Sequence, residues 1–229
     1  MRPLTVVSYN IHRGRGLDRR VNLDRIVEVL RETEPDVVGL QEVFGSQAGR
    51  VGRELGMEVV MSPTRSGPSG HLGNAVLTRL AVRSHHRFDL SSLGREPRGG
   101  LRVDLEAGRT VLHLFNVHFG LAFGERREQV ELLLCREILR APGLPGPRIL
   151  VGDFNEWLPG PVVRQLRREF CVGRRRARRT HPAPFPLFPL DQIFWDAGLV
   201  GEPLHVHRSR LARVASDHLP VVARLRLPG

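Results

Sequence analysis

The apolar pattern at the start of the chain predicts a strand followed by an amphipathic helix. Residues 4–9 form a short apolar run, and Asn22 is placed to cap a helix whose apolar positions recur at helical spacing. Those positions are Leu23, Ile26, Val27 and Leu30. A second apolar run at residues 37–40 predicts a buried strand that ends at Glu42. The chain therefore begins with a βα unit.

The middle of the chain is predicted to be rich in strands. A helix over residues 46–55 and a strand at 58–61 precede a segment rich in Gly, Ser and Pro, residues 62–73, which we expect to be a loop. Strand-like segments then cluster between residues 74 and 118, with turn signals between them. Strands this closely spaced favour antiparallel pairing.

Helices and strands alternate again towards the C-terminus. A strong helical pattern covers residues 125–139, and an apolar run beginning at Ile149 predicts a buried strand. A short helix is expected over residues 162–168, and residues 173–189, rich in Arg and Pro, favour irregular structure. Three further short strands are expected at 190–195, 204–207 and 219–225. Without an internal repeat or linker, the pattern predicts one domain over residues 1–229.

The composition indicates a class of binding partner and a cellular location. The 229 residues include 35 basic and 24 acidic side chains, and the net charge of +11 attracts polyanions such as nucleic acid or anionic lipid headgroups. All 35 are Arg, which indicates a coding bias and weakens the evidence for a nucleic-acid partner. No apolar run is long enough to span a bilayer and no secretion signal is evident, so we expect a cytoplasmic protein without an obligate protein partner. Cys135 and Cys171 lack the spacing of a disulfide scaffold or zinc site.

Polar side chains lie at the predicted ends of several strands. The clearest case is Gly152-Asp153-Phe154-Asn155, where alternation places Asp153 and Asn155 on the same side and the glycine permits close backbone approach. Similar positions are occupied by Asn10, Glu42, His118, Asp191, Asp217 and His218. Strands that end at one edge of a sheet bring distant residues together, so we expect these side chains to form a single site.

The residue types in this set indicate metal-assisted chemistry on a phosphate. Glu42 and Asn10, together with Asp217, offer the hard oxygen ligands that Mg²⁺ or Mn²⁺ prefers. Asp153 is suited to accept a proton from an attacking water, and Asn155 to orient that water or the developing phosphorus centre.

Two histidines complete the predicted site. His118 and His218 suit contacts to the non-bridging or leaving oxygens of a phosphate. Asp191 is expected to hold the tautomer of His218 and to raise the pKa of its imidazole, which favours the cationic form.

Seven short segments together resemble one known family. They are S-Y-N-I-H (8–12), L-Q-E-V (40–43), G-N-A-V-L-T-R (73–79), N-V-H-F-G (116–120), G-D-F-N (152–155), L-D-Q-I (190–193) and S-D-H-L-P (216–220). Their order along nearly the whole chain is similar to that of the endonuclease/exonuclease/phosphatase superfamily, which includes deoxyribonuclease I. The resemblance implies a four-layered α/β sandwich, in which two mostly antiparallel sheets pack face to face and are flanked by helices.

The resemblance also implies metal-dependent phosphoester hydrolysis and a role for each matched residue. The implied roles are a metal on Glu42 assisted by Asn10 and Asp217, water activation by Asp153, transition-state support by Asn155, and phosphate contacts from His118 and from His218 oriented by Asp191. Asn74 is expected either to touch substrate or to hold a loop. His12 stands where apurinic endonucleases are acidic, which argues against a second metal ligand there, and we assign His12 to substrate binding.

The predicted activity is that of a Mg²⁺-dependent phosphoesterase acting on a phosphodiester, either nucleic acid or phospholipid. An arginine cluster favours nucleic acid; it comprises Arg174, Arg175, Arg176, Arg178 and Arg179. The stretch at residues 182–189, with Phe185 and Phe188, favours phospholipid, and Trp157 suits either substrate. The alternative is a non-catalytic phosphate- or polyanion-binding module on the same fold, against which the complete set of polar residues argues.

Overall fold

The computed structural model describes residues 3–158, 160–170 and 178–227. The strands in these ranges are β1 (Leu4–Asn10), β2 (Val37–Phe44), β3 (Glu58–Gly67), β4 (Gly70–Thr78), β5 (Val82–Asp89), β6 (Gly99–Ala107), β7 (Thr110–His118), β8 (Arg148–Asp153), β9 (Asp191–Trp195), β10 (Val200–Gly201), β11 (His205–Val206) and β12 (Val221–Arg226). The predictions that involve Cys171, Arg174, Arg175 and Arg176 fall outside the described residues.

The described ranges contain five helices, of which the first four lie at the predicted places. They are α1 (Leu23–Arg31), α2 (Gly45–Leu55), α3 (Phe123–Leu133), α4 (Pro161–Glu169) and the short α5 (Ala212–Ala215), with a 3₁₀ turn at His12–Gly14. None of the helices in the described ranges combines the length and apolar character that crossing a membrane requires.

The strands form two sheets that pack face to face. The first has the order β10-β12-β1-β2-β4-β3, with β11 also paired to β12, and the second has the order β5-β6-β7-β8-β9. Among the described strands, each sheet has a single parallel pair, β1 with β2 in the first and β7 with β8 in the second. The predicted four-layered α/β sandwich of two mostly antiparallel sheets flanked by helices is confirmed.

The first helix forms as its sequence predicts. Asn22 Oδ1 accepts hydrogen bonds from the backbone nitrogens of Asp24 at 3.0 Å and Arg25 at 3.3 Å, which satisfies donors that the first helical turn leaves free. Ile26 and Leu30, on its apolar face, are fully buried in the larger core, which also fills the space between the sheets. This burial holds α1 against the first sheet.

A second, smaller core lies beneath α3 and α4 on the outer face of the second sheet. The rings of Phe154 and Phe119 meet nearly edge to face, with centroids 5.2 Å apart, and Phe154 also contacts Phe194 at 5.5 Å. Phe154 therefore turns into this core, as strand alternation predicts, and leaves the residues on either side of it on the opposite face.

A buried polar network links the two sheets. Asn116 Nδ2, in β7, donates to Leu40 O at 2.9 Å and to Ala75 O at 2.8 Å, and its Oδ1 accepts from Gln41 Nε2 at 2.7 Å. Both amide side chains are fully buried. Because buried amides are costly without partners, this network favours one register of β7 against β2 and β4.

The predicted loop at residues 62–73 is wrong. β3 and β4 form a long hairpin whose tip lies between Gly67 and Gly70. Pro63, which cannot donate a backbone hydrogen bond, is tolerated because β3 is the edge strand of its sheet. The Gly, Ser and Pro residues near the tip therefore do not predict the conformation of the flanking residues, because strand pairing determines it.

Two predicted boundaries also differ from the structure. The strand through residues 37–40 does not end at Glu42 but continues to Phe44, past a shift in register against β4. The helix predicted to reach residue 139 ends at Leu133, because the chain turns there and buries Leu139 beside it.

Candidate active site

The two parallel strand pairs deliver the central residues of the site. In the first sheet Asn10 ends β1 opposite Gln41, and Glu42 is the next residue of β2. In the second sheet His118 ends β7 directly opposite Asp153 at the end of β8. Parallel strands end at the same edge, so side chains distant in sequence meet there. A Cβ at Gly152 would collide with the carbonyl oxygen of Val117, which is why glycine precedes Asp153.

The antiparallel neighbours of these pairs bring in the remaining predicted residues. Asp191 begins β9 opposite Asp153. Asp217 and His218 lie in the loop just before β12 begins at Val221, and β12 pairs with β1. Asn74 lies in β4 beside the register shift of β2. The candidate residues predicted from the sequence therefore come from both sheets and share one edge of the sandwich.

The carboxylate of Asp153 is the centre of this group. It is 1% exposed, and its Oδ2 accepts a hydrogen bond from Asn10 Nδ2 at 2.9 Å. Its Oδ1 accepts from the backbone nitrogen of Asn155 at 2.9 Å. His118 Nε2 and His218 Nε2 lie 3.7 and 3.8 Å from Oδ2. This oxygen thus faces donors from both sheets.

His218 is held by a buried acidic partner. Its Nδ1 lies 2.8 Å from Asp191 Oδ2, which also accepts a hydrogen bond from the hydroxyl of Thr180 at 2.6 Å. Burial disfavours protonation of His218, but the charges of Asp191 and Asp153 outweigh this effect and raise the pKa of its imidazole to about 10. His218 is therefore a cation at neutral pH, oriented with Nε2 towards Asp153.

His118 has the opposite electrostatic character. Burial lowers the pKa of its imidazole to about 3; the charge of Asp153 opposes the shift, whereas Arg98 and His218 add to it. Arg98 Nη1 lies 3.3 Å from His118 Nδ1. A guanidinium and a side-chain amide nitrogen both only donate hydrogen bonds, so Arg98 at Nδ1 and Asn155 Nδ2 at Nε2 compete for the one acceptor nitrogen of the neutral ring. His118 Nε2 faces the space beside Asp153.

Asn155 lies against the same histidine. Its Nδ2 donates to Phe119 O at 2.9 Å and lies 3.2 Å from His118 Nε2. Asn155 has a positive φ of 48°, a conformation that asparagine tolerates better than most residues. The amide is thereby held beside Asp153 and His118 with little freedom to turn.

A small cavity of about 70 Å³ opens next to this cluster. It is lined by Glu42, Asn74, Arg98 and His118, among other residues. Asn74 Nδ2 donates to Gly99 O at 2.9 Å, so its amide also holds the start of β6. Arg98 Nη2 bonds the carboxylate of Glu96 at 3.1 Å. The cavity therefore has both carboxylate and guanidinium groups in its wall.

The three predicted metal ligands are oxygen donors near this cavity and the Asp153 cluster. Glu42 has a positive φ of 50° at the register shift of β2, and Arg13 Nε lies 3.5 Å from its carboxylate. Asp217 lies 3.5 Å from His12 Nδ1. Asn10 Oδ1 accepts a hydrogen bond from the backbone nitrogen of His12 at 3.0 Å, which orients the amide. Two carboxylates and an amide oxygen fit the preference of Mg²⁺ or Mn²⁺.

Two other clusters have ligand atoms close enough to share an ion. They are Asp153, Asp191 and His218, and His181, Asp217 and His218, with the atoms of each within 4.8 Å of one another. In both clusters His218 would have to be neutral to ligate, whereas its Nδ1 is engaged by Asp191 and its pKa is raised. Oxygen donors such as those of Glu42, Asn10 and Asp217 suit Mg²⁺ or Mn²⁺ better than a protonated histidine does.

Three residues of the site were missed in the sequence. Thr180 is a single buried hydroxyl within a stretch of Arg and Pro, and Arg98 is one arginine among 35 basic residues. His181 stacks obliquely against His218 with ring centroids 4.8 Å apart. None of the three belongs to a recognisable motif, and only their tertiary contacts distinguish them from neighbours of the same type.

A four-layered sandwich with carboxylates, amides and histidines gathered at one edge is the architecture of the deoxyribonuclease I-like class. The chain belongs to the endonuclease/exonuclease/phosphatase family, whose family model matches residues 7–218. The resemblance inferred from the seven segments is thus confirmed. Membership of this family supports a phosphoesterase hydrolase in general.

Individual relatives agree with this assignment. Protein YbhP of Escherichia coli K12 is 30% identical over 245 residues, covering 97% of this chain and 96% of YbhP. A solved endonuclease/exonuclease/phosphatase family protein from Bacteroides thetaiotaomicron has a TM-score of 0.82 at 21% identity, with 100% of both chains covered. A mannosyl-6-phosphatase from that species has a TM-score of 0.78 at 23% identity, covering 98% of this chain and 100% of its own. At these identities the two structures show the fold alone.

Proposed function

We propose that this protein is a Mg²⁺- or Mn²⁺-dependent phosphodiesterase that uses a water activated by Asp153. The observation that carries the proposal is the environment of Asp153, whose buried carboxylate meets Asn10, His118 and His218 within 4 Å. Such an arrangement suits a base that takes a proton beside a phosphate held by donors.

Glu42, Asn10 and Asp217 are the proposed metal ligands. The ion, when bound, would supply Lewis-acid stabilisation of negative charge on a phosphate oxygen. Asn10 joins the two parts of the site, because its Nδ2 donates to Asp153 while its Oδ1 keeps a second lone pair.

The histidines have separate proposed tasks. His218, cationic and oriented by Asp191, contacts a non-bridging oxygen of the scissile phosphate as a charged donor. His118, which is neutral, contacts the phosphate from the other side, and Asn155 orients the attacking water. The opposite protonation of the two rings at one carboxylate supports this division.

A diester is the preferred substrate, and Asn74 and His12 are the proposed substrate contacts. Asn74 lines the cavity, but its bond to Gly99 O also gives it the loop-holding role. His12 is a third exposed next to Asp217, which leaves its ring available to a ligand. The net charge of +11 supports an anionic polymer or an anionic lipid surface as the source of the diester.

The test is a panel of phosphodiesters assayed with Mg²⁺ or Mn²⁺ and with chelator. It comprises a chromogenic diester, DNA, RNA and phospholipid, beside a chromogenic monoester. Wild-type protein should cleave at least one diester only with metal, and Asp153→Ala and His218→Ala should lose about a hundredfold or more in kcat. Equal activity of the three proteins on every substrate would contradict the catalytic assignment, and absence of activity in all three would favour a non-catalytic phosphate-binding module. Activity confined to the monoester would contradict the diester preference.

We further propose a single domain over residues 1–229 and a cytoplasmic location. The family match over residues 7–218 supports the first. The free thiol of Cys135 is compatible with the second, since reduced cysteines are the rule in the cytoplasm.

A further inference from the structure

Four large apolar side chains are exposed together beside the site. Trp157 and Leu158 are 40% and 72% exposed, and Phe185 and Leu187 are 78% and 56% exposed. We call these four residues the apolar rim. Contiguous exposed apolar surface on a protein commonly marks a place where another apolar surface binds.

The apolar rim is continuous with the proposed catalytic histidine. His181 O accepts backbone hydrogen bonds from Leu187 at 2.9 Å and Phe188 at 2.8 Å. The loop that carries Phe185 therefore starts at His181, and its far end is hydrogen-bonded back to the same residue. The ring of Trp157 meets Phe188 at 4.7 Å and His181 at 5.6 Å, and the ring of His181 lies 4.8 Å from that of His218. One imidazole therefore separates the rim from the site.

A mainly apolar pocket of about 420 Å³ lies within the same surface. Its walls include Trp157, Leu158, Leu187 and Phe188. This volume is in the range of ligand-binding pockets and accommodates part of an acyl chain. The apolar rim thus combines a pocket with exposed apolar side chains.

Arginines surround these apolar groups. Arg167 and Arg179 line the pocket, and Arg213 Nη1 donates to Pro184 O at 2.9 Å, next to Phe185. Apolar side chains bordered by cations are the pattern of proteins that bind the surface of an anionic bilayer. Surfaces that bind nucleic acid are more polar and do not require fully exposed leucine and phenylalanine at their edge.

We propose that the apolar rim is a membrane-binding surface that seats the protein on anionic phospholipid. Leu158, Phe185 and Leu187 enter the interface between headgroups and acyl chains, and the arginines meet anionic headgroups. The catalytic consequence of this inference rests on the proposed function: a headgroup phosphodiester reaches the Asp153 cluster from the bilayer. Binding itself does not depend on the chemistry.

The experiment measures sedimentation of the protein with vesicles of equimolar phosphatidylglycerol and phosphatidylcholine, and with phosphatidylcholine alone. The variants are Leu158→Ser combined with Phe185→Ser, Phe185→Ser alone, and Leu93→Ser as the matched control. Leu93 is fully exposed but lies outside the rim and its pocket. Circular dichroism and thermal unfolding report whether each variant folds, and Phe185→Ser carries the test if the double variant does not.

Wild-type protein should bind the anionic vesicles more tightly than the neutral ones. The double variant should bind at least about tenfold more weakly, because each large apolar side chain removed from water contributes on the order of a factor of ten. Leu93→Ser should bind as wild type does. Absence of wild-type binding, or equal binding by the rim variants, would overturn the proposal.

Two further measurements distinguish this proposal from the proposed catalytic function and from nucleic-acid binding. Asp153→Ala protein should bind vesicles as wild type does; if it does so while no protein hydrolyses any diester, the proposed function fails and the membrane surface stands. A single-stranded oligonucleotide is titrated against the same variants. Weakened oligonucleotide binding with unchanged vesicle binding in the rim variants would make the rim a base-stacking platform and contradict the membrane assignment.

Discussion

At the scale of single residues, the site depends on side chains that orient others. Asp191 holds His218, and Thr180 in turn donates to the same oxygen of Asp191. Asp191 Oδ1 is buried and has no hydrogen-bond partner among the described residues, so the position of this carboxylate depends heavily on Oδ2. Thr180 is accordingly a positioning residue for the proposed reaction, although it does not touch the phosphate.

We expect Thr180→Val to lower kcat about tenfold while KM changes little, because the variant removes the bond that orients Asp191 without changing side-chain volume. Thr180→Ser keeps the hydroxyl and is the matched control. Steady-state kinetics on the chromogenic diester with both proteins make the test. A fall in kcat of equal size in Thr180→Ser would show that packing of the methyl group, rather than the hydrogen bond, matters here.

Arg98 provides the second residue-scale prediction. Its guanidinium competes with Asn155 Nδ2 for the one acceptor nitrogen of neutral His118, and we predict that the charged donor prevails and leaves the proton on Nε2. Arg98→Met should remove this preference and reduce kcat/KM about tenfold by misdirecting one donor. Nitrogen chemical shifts of His118 report the tautomer directly. A wild-type ring protonated on Nδ1 would contradict the assignment.

At the scale of elements, the buried amide of Asn116 ties β7 to β2 and β4. Substitution with Leu keeps a similar volume but leaves the carbonyls of Leu40 and Ala75 and the amide of Gln41 without this partner. The free energy of unfolding should fall by about 2–3 kcal/mol for this loss of buried hydrogen bonds. Chemical denaturation measures it, and Asn22→Ala, which removes an exposed helix cap, should cost only about 1 kcal/mol.

The same scale shows what the sequence could and could not predict. Helix α1 and strands β1 and β8 follow from local apolar spacing and a capping side chain, and they were predicted with nearly correct limits. Residues 62–73, the distal part of the β3–β4 hairpin, were not, because they are extended through pairing with each other rather than through apolar alternation. Glu42 was expected at a strand end but lies at a register shift, which only the partner strand defines. Contacts that depend on the fold, such as those of Thr180 and Arg98, carry no local signal.

At the scale of the whole molecule, metal binding should couple to global stability. An ion that binds only the folded state stabilises it by about 2.7 kcal/mol at a hundredfold excess over Kd. For a chain of this length, that corresponds to a rise in Tm of about 5–10 °C. Thermal unfolding with Mg²⁺ or Mn²⁺, and with chelator, measures the shift.

The matched variants are Glu42→Gln and Glu106→Gln. Glu42→Gln should abolish the metal-dependent rise in Tm because it removes an anionic ligand. Glu106 is an exposed carboxylate near the C-terminal end of β6, whereas the cavity lies at the start of that strand. Its variant should therefore keep the full rise in Tm. A shift that survives in Glu42→Gln would place the ion elsewhere in the molecule.

The two sheets of the sandwich repeat one plan. β3-β4-β2-β1-β12 and β5-β6-β7-β8-β9 have the same succession of antiparallel and parallel neighbours. By register, the pair Asn10 and Gln41 corresponds to the pair Asp153 and His118, and Asn10 donates a hydrogen bond to Asp153 from one sheet to the other. The two sheets thus resemble two copies of one strand arrangement, with the proposed metal ligands at the first sheet and the proposed base at the second. The hydrogen bond from Asn10 to Asp153 connects these two groups of residues, so a change in the metal ligands alters the surroundings of the base as well.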